Sequence, residues 1–230
     1  MKHIENIIKI AEKLNISAVY DKKSKDIEFE IYSPEGQDFV FTIKAGKRLE
    51  DFRENLYEYY LAYDPDEEAK IWINGSGLEN RGCPSSIEDL VNDMNWCKDK
   101  LYEFFTIVRY SLYFVGTDYA SAVMNIAESL GVSAELNGDD LMVFAINTPA
   151  GQHYDFDIRK GSSLSEFIEE FGNYYYSYDH EKETLKRLNN PGLGNKDCPK
   201  SLADLIDDMR WVGNKIYELF KVLVYGEIYQ

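Results

Sequence analysis

Apolar positions recur along this chain with two periods. Ile4, Ile7, Ile8, Ala11 and Leu14 fall three and four residues apart, a spacing that predicts an amphipathic helix. The period then drops to two. A short strand is expected over 17–20, followed by two more in which Ile27, Phe29 and Ile31 alternate with Glu28 and Glu30, and Phe39, Phe41 and Ile43 alternate likewise. Such alternation predicts a sheet with one wet face. Ser33-Pro34-Glu35-Gly36 has Pro and Gly placed for a tight turn, so the two longer strands should form a hairpin. Helical spacing returns with Phe52, Leu56, Tyr59, Tyr60 and Tyr63. Asp64-Pro65-Asp66-Glu67-Glu68 then reads as a fresh start, with Asp as cap, Pro at the first position and acids in the first turn of a short helix through Trp72. After a Gly/Asn-rich loop over 74–82, a long helix begins at Cys83-Pro84-Ser85-Ser86 and carries Ile87, Leu90, Val91, Met94, Cys97, Leu101, Phe105 and Val108.

The pattern is then written a second time. Residues 149–225 follow 34–110 at a constant interval of 115 without a gap, so Pro34, Gly36 and Gln37 return as Pro149, Gly151 and Gln152. Tyr59, Tyr60, Tyr63 and Asp64 return as Tyr174, Tyr175, Tyr178 and Asp179, and Leu90, Met94 and Trp96 as Leu205, Met209 and Trp211. Ala11 pairs with Ala127 at an interval of 116, which places one lost residue between the first and second strands of the second copy. A repeat this long is a whole small domain rather than a solenoid turn. The expected fold is therefore α+β: two tandem α-β-β-β-α-α repeats, residues 1–115 and 116–230, each a three-stranded antiparallel meander with helices packed on one face. Few residues separate the end of the long helix near Tyr113 from the next helix near Asp118, so an internal pseudo-dimer within a monomeric chain is expected. The first five elements share their order with double-stranded-RNA-binding domains, a resemblance of topology only. That module grips phosphates with basic residues at the start of its last helix, and here the matching stretch is Leu49-Glu50-Asp51-Phe52-Arg53-Glu54.

Charge narrows the function classes. The net charge is −16, shared as −7 over residues 1–115 and −9 over 116–230. Such a field repels nucleic acid and anionic membrane and attracts basic surfaces. With 44% hydrophobic and 14% aromatic residues the chain is expected to fold. No apolar run approaches the roughly 18–20 residues needed to span a bilayer. The N-terminal stretch carries scattered charges unlike a signal peptide, and three cysteines is an odd count, so a reduced cytoplasmic setting is expected.

One stripe on the long helix draws attention. Asp89, Asp93, Trp96, Lys100 and Glu103 are spaced 4, 3, 4 and 3, and all five recur as Asp204, Asp208, Trp211, Lys215 and Glu218. This spacing puts them on one helix face, away from the apolar one. The stripe reads as a partner-binding face, as a rim around a packed tryptophan, or, with least support, as paired carboxylates. Carboxylate bundle sites normally add Glu-x-x-His ligands, which are absent. Asp64, Asp66 and Glu68 miss the calcium-loop template, with Ala69 at position six and Gly75 at position twelve. Gly75, Gly77 and Gly82 lack the Gly-Lys-Ser/Thr ending of a phosphate loop. Cys83 and Cys198 each precede a proline at a helix start, where the dipole can lower a thiol pKa, yet none of His3, His153 and His180 recurs in both copies. No catalytic residue, cofactor or metal site is expected.

Tyr63-Asp64-Pro65-Asp66-Glu67-Glu68-Ala69-Lys70-Ile71-Trp72, preceded by Ser33-Pro34-Glu35-Gly36-Gln37-Asp38-Phe39, resembles a group of uncharacterised small acidic proteins of gut Gram-positive bacteria and their mobile elements. The group has no established activity. The resemblance implies a cytoplasmic accessory protein acting on host or defence machinery. The second copy departs over 180–187, losing Pro65 and Trp72. The expectation is a non-enzymatic module that binds a basic protein surface, in its sharpest form a DNA-mimicking inhibitor. A scaffold with a neutral partner, or an uncharacterised hydrolase, is the alternative.

Overall fold

The computed structural model describes residues 2–75, 77, 78, 84, 86–195 and 198–229. The chain is α+β and divides into two compact units, residues 1–112 and 113–230.

In the first unit, α1 (Lys2–Lys13) leads into β1 (Ser17–Asp21), β2 (Asp26–Tyr32) and β3 (Asp38–Lys44), followed by α2 (Leu49–Ala62), α3 (Pro65–Gly75) and α4 (Ile87–Ser111). The strands form an antiparallel sheet in chain order, with Phe29 opposite both Ala18 and Phe41. Ile27, Phe29, Ile31, Phe39, Phe41 and Ile43 are buried on one face, while Glu28, Val40 and Thr42 are exposed on the other. Phe29 sits at the centre, its ring 5.1 Å from Phe41, 6.1 Å from Phe52 of α2 and 5.2 Å from Phe104 of α4. The helices therefore cover the apolar face of the meander.

The second unit repeats the order with α5 (Tyr119–Ser129), β4 (Val132–Asn137), β5 (Leu141–Asn147), β6 (His153–Arg159), α6 (Leu164–Ser177), α7 (His180–Asn189) and α8 (Leu202–Gly226). Three helices follow each sheet, one more than the α-β-β-β-α-α order counts, because the expected short acid-capped segment forms its own helix. Asp64 accepts from the backbone N–H of Asp66 at 2.9 Å, and Asp179 from that of Glu181 at 2.9 Å, so both carboxylates act as caps. The missing residue lies in the turn before the second strand, residues 22–25 in the first unit and 138–140 in the second. The core is rebalanced between the units. Leu56 and Phe104 of the first correspond to Phe171 and Leu219 of the second, and all four are fully buried. One ring moves from the long helix to the helix that directly follows the sheet, and the combined volume is kept.

Each hairpin turn is closed identically. The Ser33 N–H donates to the Gln37 carbonyl at 2.9 Å, and the Thr148 N–H to the Gln152 carbonyl at 2.9 Å. Gly36 and Gly151 have φ of 87° and 88°, which L side chains adopt only with strain, so glycine is needed there.

Candidate functional site

The five-residue stripe is not one surface. Its first position lies in the first turn of the long helix, against the capping residue. Ser86 is the N-cap of α4; its hydroxyl accepts from the Asp89 N–H at 3.0 Å and donates to the Asp89 carboxylate at 2.6 Å. Ser201 caps α8 in the same way, accepting from the Asp204 N–H at 3.4 Å. A carboxylate in the first turn also meets the positive end of the helix dipole.

The second position turns inward. Asp93 and Asp208 are each 2% exposed. Asp93 accepts from the Ser33 hydroxyl at 2.5 Å and from the Glu35 N–H at 3.4 Å. Asp208 accepts from the Thr148 hydroxyl at 2.5 Å, the Ala150 N–H at 3.0 Å and the Gln152 amide nitrogen at 2.8 Å. The hydroxyls in turn accept from the Gln37 and Gln152 backbone N–H groups, both at 2.9 Å. These carboxylates fasten the hairpin turn to the long helix and cannot contribute to an outward face. A buried carboxylate bound by several N–H and O–H donors is held without a cation.

The rest of the stripe is paired within itself. Lys100 contacts Glu103 at 2.9 Å with its ammonium 5.7 Å from the Trp96 ring centre, and Lys215 contacts Glu218 at 2.9 Å with its ammonium 5.0 Å from that of Trp211. An indole face carrying a cation explains why tryptophan and lysine recur together.

What stays open is a groove in the second unit. Pro149 and Ala150 of the turn form one wall, and Asp204, Asp207 and Trp211 of α8 the other, with Asp208 at its base. Trp211 is 39% exposed, and Asp204 and Asp207 are exposed beside it. Asp207 meets Arg210 only loosely, at 3.8 Å, and an exposed pair of this kind contributes little. The matching positions of the first unit carry Glu35 for Ala150 and Asn92 for Asp207, and Trp96 is half-buried.

Sequence spacing did not point to Ser33, Thr148 or Arg187. Arg187 of α7 donates to the Gln152 side-chain carbonyl at 3.2 Å and to the His153 backbone carbonyl at 3.0 Å, with its guanidinium 5.4 Å from the Tyr154 ring centre.

Cys198 departs from the helix-start expectation. Cys198 is buried, and burial pushes its thiol up, partly offset by Arg187. Cys97 is pushed up to about 12, first by burial and then by the charge of Asp93. Cys83 lies outside the described residues. Because the thiolate is the reactive form, alkylation of Cys97 at pH 8 should run about a thousandfold slower than for a free thiol and become fast in denaturant. Mass spectrometry of a short alkylation pulse checks this, and rapid labelling of Cys97 in the folded chain would contradict its burial.

Among the described residues, no three His, Cys, Asp or Glu side chains converge to hold a metal, and no helix is long and apolar enough to cross a membrane. Comparison with family models, with curated proteins and with solved structures finds no match. The functional reading therefore rests on the geometry of the site.

Proposed function

We propose that this chain is a non-enzymatic protein-binding module that receives a basic surface, and that its contact centre is the acidic groove of the second unit. The observation that carries this reading is the exposed Trp211 flanked by Asp204 and Asp207 over the Asp208-anchored turn. Glu218 pairs with the Lys215 ammonium near the indole, and the exposed part of the ring offers a π surface to a cation of the partner. Carboxylates beside it supply the Coulombic attraction, and the net charge of −16 extends that attraction beyond the groove. The sharpest form is mimicry of DNA toward a nucleic-acid-binding protein, since such proteins carry clefts built for dense negative charge. An accessory role for a mobile element is the setting that fits the family resemblance.

A second reading has its own observation. Tyr175, Tyr176, Tyr217 and Phe220 form an aromatic face between α6 and α8, with Tyr176 79% exposed. A scaffold with a neutral partner would use that face, because tyrosine supplies large contact area at low entropic cost.

Salt separates the two. Binding through the acidic groove should weaken steeply between low and physiological ionic strength, whereas an aromatic interface should barely respond. Trp211→Ala should lower affinity for the basic partner about thirtyfold, as truncation of a central anchor does. Isothermal titration at two salt concentrations checks both effects; unchanged affinity in that variant would remove the groove from the binding site.

A further inference from the structure

Arg187 of the second unit corresponds to Trp72 of the first. In the second unit both halves of the Gln152 amide are bonded: the nitrogen donates to Asp208 at 2.8 Å, and the oxygen accepts from Arg187 at 3.2 Å. Its counterpart Gln37 is 0% exposed, and neither its side-chain nitrogen nor its oxygen has a hydrogen-bond partner. A buried amide with both ends unbonded is rare in a folded interior and calls for a partner.

The surroundings of that amide are otherwise repeated. Asp93 lies under the turn as Asp208 does, and the Ser33 hydroxyl accepts the Gln37 N–H as the Thr148 hydroxyl accepts that of Gln152. Phe39 takes the place of Tyr154, with the Asp38 backbone carbonyl in that of His153. Not repeated are the guanidinium and the bond from the amide nitrogen to the aspartate beneath it. Trp72 is only partly buried, packed against the Ala69, Leu90 and Met94 cluster. One helical turn before it, Glu68 is raised above the ordinary carboxylate range by burial and forms no ion pair among the described residues.

We propose that the first unit receives an arginine side chain of the basic partner at Gln37. The incoming guanidinium follows the course of Arg187 in the second unit, donating to the Gln37 side-chain oxygen and the Asp38 carbonyl over the Phe39 ring. The Trp72 indole turns to lie against its other face. The ligand is a guanidinium rather than an ammonium, because a planar fork serves two acceptors at once and stacks between rings, which a point charge does not. This inference rests on the reading of the chain as the acceptor of a basic partner and assigns one residue of that partner.

The test uses the full chain with acetylated tri-arginine and tri-lysine peptides of equal charge, followed through the Trp72 indole and Gln37 side-chain amide resonances. Tri-arginine should shift both signals and bind about tenfold tighter than tri-lysine, the gain expected of two charge-assisted bonds made in fixed geometry. Gln37→Leu removes an unbonded amide, so the fold is retained, and it should bring the ratio to about one. Trp72→Arg supplies the guanidinium internally and should also abolish the preference. Asp204→Lys with Asp207→Lys should weaken both peptides without changing their ratio, so loss of the groove and loss of this seat are distinguishable. Equal binding of the two peptides by the native chain, a preference that survives Gln37→Leu or Trp72→Arg, or shifts confined to Trp211 would overturn the proposal.

Discussion

Replacement of Asp208 by alanine is expected to destabilise the second unit by about 3 kcal/mol. The change removes a carboxylate that accepts from the Thr148 hydroxyl, the Ala150 N–H and the Gln152 amide, all beneath a turn with almost no solvent access. Each buried donor left unpaired costs about 1–3 kcal/mol, partly relieved if water enters. The melting temperature of that unit should fall by roughly 10 °C, since 1 kcal/mol shifts a domain of this size by about 3–5 °C. Asp93→Ala should cost less, about 2 kcal/mol, because Asp93 holds one short bond from Ser33 and a longer one, 3.4 Å, from Glu35. Two units need not unfold together, so hydrogen exchange resolved by residue, rather than a single transition, is the appropriate measurement. A shift under 1 °C for Asp208→Ala, with exchange of the 148–152 turn unchanged, would show that the clamp contributes nothing.

The matched glutamines should respond with opposite signs. Gln152→Leu breaks the link between Asp208 and Arg187 and leaves a guanidinium with one fewer acceptor, at a cost of about 2 kcal/mol. Gln37→Leu removes an amide that is buried without bonds, so its effect should be neutral or stabilising by up to about 1 kcal/mol. Leucine is close in volume to glutamine, so packing changes little in either unit. Chemical denaturation of the two variants side by side provides the comparison. Equal destabilisation would mean that Gln37 is bonded in solution and that the asymmetry between the units is not real.

Most of the secondary structure was legible because period two and period 3.6 are hard to confuse over long segments. Strand residues Ile27, Phe29 and Ile31 and helix residues Leu90, Met94 and Leu101 all lie where their spacing put them. Asp93 departs from the expected outward stripe for a visible reason. Asp93 is four residues from Asp89, but it also falls between Leu90, Met94 and Cys97, inside the buried stripe of α4. A charged residue at an apolar spacing signals a buried group with partners elsewhere, and Ser33 and Glu35 are too far along the chain for helical spacing to reveal them. The residues shared by both units at Asp89, Asp93, Lys100 and Glu103 are accounted for by capping, clamping and internal pairing. Recurrence alone could not separate these roles from partner binding. Arg187 was invisible for the opposite reason. It occurs in one unit only, and its meaning emerges from the orphaned amide of the other.

Salt-resolved capture on the immobilised full chain distinguishes acid-driven binding of a basic protein from every other mode of association. A lysate of the source cells is passed over the chain and over the variant carrying Asp204→Lys and Asp207→Lys, and bound protein is released by stepped salt and identified. The expected partner is a basic, nucleic-acid-binding protein, retained by the native chain at low ionic strength, released as screening shortens the Debye length toward about 3 Å at 1 M salt, and not retained by the double variant. A partner of neutral or acidic charge that stays bound at high salt, or one held equally by the double variant, would contradict it.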